Sequence, residues 1–120
     1  MKELKFRVWE EREKEYDTWS YILDESGNLC RNVYGALIGC DKKDYIVEQY
    51  TGLKDKNGNE IYVGDILLDD IGEPCEPWIV KFDDGKFIGE IQGVVEDLFE
   101  LTYLEIIGNI HENAELLEDK

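Results

Sequence analysis

Asp65 follows a glycine at the entry to an apolar run, a position where a carboxylate could work as a catalytic acid or base. Gly64-Asp65 more often fixes a bend, because the Asp side chain bonds nearby backbone, and the bend is the expected role. His111, beside Glu112, is the one histidine and the natural general base near neutral pH. No nucleophile stands at a spacing that ties to it, so a surface or packing histidine is expected. Asp69, Asp70, Glu73 and Glu76 lie close enough in sequence to gather oxygen ligands around a hard cation. Their spacing is not that of an EF-hand loop, and a solvated acidic loop is the default. Asp83 and Asp84 read as a solvated pair in a hairpin loop.

Cys30, Cys40 and Cys75 are odd in number and follow no C-x-x-C spacing. They are expected as reduced thiols in a cytosolic chain, although the Cys30–Cys40 spacing would permit a bridge. Nothing places them with His111 at zinc-ligand spacing. No Walker loop, dinucleotide fingerprint, H-E-x-x-H or nucleophile elbow occurs. Neither a cofactor nor a metal is expected. Trp9, Trp19 and Trp78 could stack bases, but that needs a positive groove. Lys2, Lys5, Arg7 and Arg12 are its only N-terminal supply, and a core or interface role for the tryptophans is favoured.

The net charge is −16, with a pI near 4.3. Residues 1–60 carry 10 Lys and Arg against 13 Asp and Glu; residues 61–120 carry 3 against 16. The acidity therefore belongs to the second half, which should repel nucleic acid and favour basic partners. A hydrophobic share of 42% and an aromatic share of 12% indicate a folded chain despite the charge. At 120 residues a single domain is expected, with an N-terminal β part (1–49) and a barrel-like part (50–120). No apolar run approaches a membrane span and the start lacks a signal-peptide core, so a cytoplasmic protein is expected.

Strands dominate the pattern. Leu4, Phe6 and Val8 alternate with polar or aromatic neighbours, and Glu10–Lys14 is a polar turn or short helical connection with Glu10 and Lys14 at i, i+4 spacing. Tyr16–Leu23 reads as a second strand, Ser26-Gly27-Asn28 as a turn and Leu29 onward as its hairpin partner. Residues 32–40 could be strand or loop, and Tyr45–Tyr50 is a strand. Asn57-Gly58, flanked by Asp55 and Asn59, predicts a type I′ turn. Asp69–Pro77 is an acidic loop kept out of a central strand by Pro74 and Pro77. Trp78, Val80 and Phe82 share one strand face, and a hairpin through Asp83–Lys86 returns along Phe87–Ile91. Val94, Val95, Leu98 and Leu101 stand at near-helical spacing and predict a short helix or helical turn. Leu104–His111 is the last strand, and Asn113 is the expected N-cap of a terminal turn over 114–118. The fold class is mainly β, or β-rich α+β: antiparallel hairpins forming a small SH3-like barrel, with one or two short helices.

The stretch TGLKDKNGNEIYVGDIL at Thr51–Leu67 resembles the hallmark of the YopX-type family of phage and prophage proteins of Gram-positive bacteria. LKFRVWE at Leu4–Glu10 is similar to that family's K-F-R-A-W-D opening. EIIGNIHENAELL at Glu105–Leu117 is similar to its V-I-G-N-I-Y-E-N-P-E-L-L ending. Residues 19–49 depart most from the family pattern. The resemblance implies a mostly β, phage-encoded cytosolic protein and no particular reaction.

The leading functional expectation is a non-enzymatic accessory protein that binds an unidentified protein or itself as a homo-oligomer, using sheet edges and exposed aromatics. An alternative is an acidic mimic of nucleic acid that occupies a basic host DNA-binding protein, with Asp69, Asp70, Glu73, Glu76, Asp83 and Asp84 on the interaction surface. A third is an enzyme with an unrecognised site, for instance a cleft joining His111 to Asp65. Direct nucleic-acid binding and membrane association are not expected.

Overall fold

A computed structural model describes residues 5–17, 21–23, 26, 28–33, 36–40, 43–68 and 76–117. The chain divides into two compact units, Phe6–Glu48 and Met1–Lys5 with Gln49–Lys120. Both are built from antiparallel strands. Among the described residues the only helical pieces are two 3-10 turns, Leu98–Leu101 and Ala114–Leu117. The chain is mainly β, as its hairpin signals indicated.

In the Phe6–Glu48 unit, β1 (Phe6–Glu10) and β2 (Glu15–Asp17) form a hairpin in which Trp9 stands opposite Tyr16. The turn between them puts Lys14 at φ +56° and pairs it with Glu11, three residues back, instead of the Glu10 partner that a helical connection would offer. The expected strand over Tyr16–Leu23 is two strands with different partners. β3 (Tyr21–Leu23) belongs to a meander with β4 (Leu29–Val33) and β5 (Ala36–Gly39). An aromatic-rich run favours the pleated state but does not choose its partner. Part of the Ser26-Gly27-Asn28 turn lies outside the described residues, yet Leu29 returns opposite Leu23 as expected. β6 (Tyr45–Lys54) flanks β1 and continues into the second unit.

There β6 turns back as β7 (Glu60–Tyr62). Then β8 (Asp65–Leu68), β9 (Pro77–Asp83), β10 (Lys86–Ile91), β11 (Val94–Asp97) and β12 (Glu105–Asn109) make one sheet in the order β11-β10-β9-β8-β12. This antiparallel sheet curls into a half-barrel. Ile61, Leu67, Val80, Leu98, Leu101 and Leu104 form its core, with Trp78 and Phe87 packed against them. Burying each such side chain contributes about 1.5–3 kcal/mol. Trp78 and Val80 face inward as their alternation predicted, whereas Phe82 runs past the core to 55% exposure and meets Phe87 edge-on.

Turn chemistry separates three hairpins. Asp84 and Gly85 take φ +50° and +80°, and Gln92 and Gly93 take +46° and +84°, so both two-residue loops are type I′. Asn57-Gly58 differs from the expected type I′ turn, since only Gly58 has a positive φ, +83°. The Gly58 N–H bonds the Asp55 carbonyl and the Asp55 N–H bonds the Asn59 carbonyl, a three-residue loop with glycine in the left-handed position. The Asp55 side chain selects this form by accepting from the Asn57 and Asn59 N–H groups.

Pro77 does enter an interior strand, opposite Leu68, but at its first position, where the missing N–H is tolerated. Of Val94–Leu101 only Leu98–Leu101 is helical, as a 3-10 turn, and Val94–Asp97 is a strand. Gln92-Gly93 turns the chain and Val94–Asp97 pairs with β10 before the 3-10 turn begins. Asn113 does not cap the last turn with its side chain. Its Oδ1 reaches back to accept from the Asn109 N–H.

Gly89 marks a close approach, since a Cβ there would strike Leu101 Cδ1 and touch Trp78. Gly89→Ala should therefore destabilise the protein by about 1–3 kcal/mol through overpacking, read as a lower urea midpoint at unchanged slope.

Candidate functional site

Asp55 and Asp65 are both buried and both committed to backbone. Asp55 is 6% exposed. Its Oδ1 accepts from Asn57 and Asn59 N–H, each at 2.9 Å, and its Oδ2 from the Ile106 N–H at 3.0 Å. Burial works against its charged form, but the backbone donors outweigh burial and hold the carboxyl below its ordinary value. Asp65 is 2% exposed and accepts from the Tyr62 N–H at 2.8 Å, closing the turn in which Gly64 has φ +96°.

Asp65 stands opposite Asn109 in the β8/β12 ladder, so His111 lies at the same end of the sheet. Asn109 Oδ1 accepts from the His111 and Glu112 backbone N–H groups. A buried Asp that holds backbone is poorly placed to exchange protons with substrate.

Asp69, Asp70 and Glu73, with Cys75 and Trp19, lie outside the described residues. Glu76 precedes β9 and Asp83 ends it, which separates them by roughly 20 Å of extended strand. Asp83 and Asp84 share one turn and are exposed. Among the described residues no group of His, Cys, Asp or Glu is placed to hold a metal ion, and no helix is long and apolar enough to cross a membrane. Cys30 and Cys40 are not joined in a disulfide.

A polar cluster in the Phe6–Glu48 unit has no counterpart in the sequence reading. Glu48 is 2% exposed although its neighbours Ile46 and Val47 are each 38% exposed. Its Oε1 accepts from Arg7 Nε and from the Tyr16 hydroxyl, both at 2.8 Å. The Arg7 guanidinium lies 4.3 Å from the Tyr16 ring centroid, and Trp9 meets the same ring edge-on. The cluster is satisfied internally and cements β1, β2 and β6.

The accessible surface feature is apolar. Val94 and Val95 on β11 are 54% and 50% exposed, and Phe99 and Tyr103 just beyond are 68% and 58% exposed. β11 ends the sheet order, with β10 on one side and no strand among the described residues on the other. The helical spacing of Val94, Val95, Leu98 and Leu101 hid this edge. The glycine at position 93 is the signal that could have revealed it, as a turn immediately before a β-branched pair.

A family model described as YopX protein matches residues 5–118. Protein EF1440 from Enterococcus faecalis has a similar solved structure, with 31% sequence identity, a TM-score of 0.69, and coverage of 96% of this chain and 98% of that one. Protein yopX from Bacillus subtilis also has the same fold, at 24% identity and a TM-score of 0.67, over 98% of this chain and 100% of that one. No curated protein matches the chain.

Proposed function

The chain belongs to the YopX family, and from that premise we propose that it is a non-enzymatic, cytosolic accessory protein of phage or prophage origin that works by binding another protein. The observation that carries this reading is the exposed apolar stretch Val94, Val95, Phe99 and Tyr103 on and beside a sheet edge. Large side chains left half-exposed or more, next to unpaired strand backbone, suit recognition of a second chain. The buried carboxylates support the same reading, because Asp55 and Asp65 are already engaged in holding turns.

Val95→Lys tests it. An edge lysine blocks strand addition while costing little at an exposed position. Tagged wild-type protein should retain a specific protein from lysate of the source bacterium. The variant, with an unchanged circular dichroism spectrum, should lose that complex by about tenfold or more. Equal capture by the two proteins, or no capture by either, would remove the proposal.

A further inference from the structure

We infer that β11 is a docking edge for an extended segment of a basic protein, which joins the sheet as an antiparallel strand. Two Lys or Arg then stand opposite Glu96 and Asp97, and two β-branched residues stand opposite Val94 and Val95. This rests on the protein-binding reading above and adds the chemistry of the partner.

The two edges of the sheet are not alike. β12 is guarded: its register shifts between Ile106 and Gly108, and the Asp55 turn reaches it through Ile106 N–H to Asp55 Oδ2 and Lys56 N–H to the Leu104 carbonyl. Both are devices that discourage pairing. β11 carries neither. Its register against β10 is regular from Val94 to Asp97, all four side chains are exposed, and it holds no Lys or Pro. In an antiparallel ladder every second residue directs its backbone groups away from its partner, so the outer side of β11, with no strand against it among the described residues, offers N–H and C=O groups to an incoming strand.

Alternation along β11 sets the code. Val94 and Glu96 share one face of the sheet; Val95 and Asp97 share the other. Each face thus presents one valine followed by one acid. An antiparallel partner complements both faces at once with two basic residues followed by two β-branched ones, since opposite charges and β-branched pairs are the favourable cross-strand contacts. The β10 residues paired with β11, Ile88–Ile91, include no Lys or Arg, and the one cation on that strand, Lys86, stands two residues before Ile88, the partner of Asp97, so Glu96 has no cation directly or diagonally opposite it. A second copy is a poor occupant, because it brings another net charge of −16 to the same edge.

The test uses the full chain and three short synthetic peptides. One has a central Lys-Lys-Val-Val, one has Glu-Glu-Val-Val, and one keeps the lysines but replaces the first valine with proline. Backbone amide NMR follows each titration at low and at high salt. The Lys-Lys-Val-Val peptide should shift the amides of residues 94–97 and bind more weakly as salt rises. The acidic peptide should not bind, and the proline peptide should bind at least about fivefold more weakly for want of a ladder hydrogen bond. Glu96→Lys, an exposed change that leaves the spectrum otherwise intact, should weaken the basic peptide about fivefold. Equal binding of the lysine and proline peptides, or shifts confined to other residues, would overturn strand addition at β11. If no peptide binds while Val95→Lys still abolishes capture of a cellular protein, the basic-segment inference fails and the protein-binding reading stands.

Discussion

Replacing Asp55 by alanine should destabilise the protein by about 3–5 kcal/mol, the largest effect expected of any single polar substitution in the Gln49–Lys120 unit. One ionised carboxylate satisfies three backbone N–H groups there, from Asn57, Asn59 and Ile106. A hydrogen bond to a charged group contributes about 1.5–3 kcal/mol, and an orphaned buried donor costs about 1–3 kcal/mol, without strict additivity. Asp55→Asn should fall about midway, since an amide oxygen can keep the Asn57 and Asn59 donors while its NH2 meets the Ile106 N–H. The charge adds a pH dependence of definite sign. The folded-state pKa is depressed below the ordinary 3.8, so this stabilisation is complete above that value. It is lost as pH falls from 3.8 through the folded value. Urea midpoints followed into the acid range should converge for wild type and Asp55→Asn. A constant gap between them at every pH would show that the Asp55 charge is irrelevant to stability.

Glu48→Ala should cost about 3 kcal/mol in the Phe6–Glu48 unit. The side chain of Glu48 is 3% exposed and that of Arg7 22%, so deletion of the acid takes a charge-assisted partner from a guanidinium with limited access to water. It also strips the Tyr16 hydroxyl of its acceptor. The Tyr16 ring still lies under Arg7, which keeps the expected loss at the lower end of the range for broken buried pairs. Arg7→Met combined with Glu48→Ala should cost less than the two single changes added together, because each single change already removes the shared ion pair. Strict additivity in such a cycle, measured by urea unfolding, would mean that the pair contributes nothing beyond its packing.

Local signals were read well where the deciding contact is local. The Asp83–Lys86 hairpin, the alternation that turns Trp78 and Val80 inward, and the return of Leu29 against Leu23 follow from strand period and turn residues within a few positions. The structure departs from the local pattern where two local rules compete. Val94, Val95, Leu98 and Leu101 fit a helical period, but Gly93 at φ +84° sends Val94–Asp97 back along β10, and ladder pairing outweighs a weak helical preference. Asn57-Gly58 met the rule for a type I′ turn. The Asp55 carboxylate, bound to the Asn57 and Asn59 N–H groups, holds the other form.

The amino-acid sequence by itself determined that this protein is mainly β and strongly acidic in its second half, because strand alternation, turn residues and charge are all written in short windows. Only the tertiary structure decided which acids are structural and which strand is left open. Asp55 meets Ile106 across 51 residues, and Glu48 meets Arg7 across 41. Whether β11 or another strand ends the sheet depends on the order in which hairpins stack. Such pairings are settled by burial and hydrogen-bond satisfaction between segments far apart in the chain, and no window of neighbouring residues contains them.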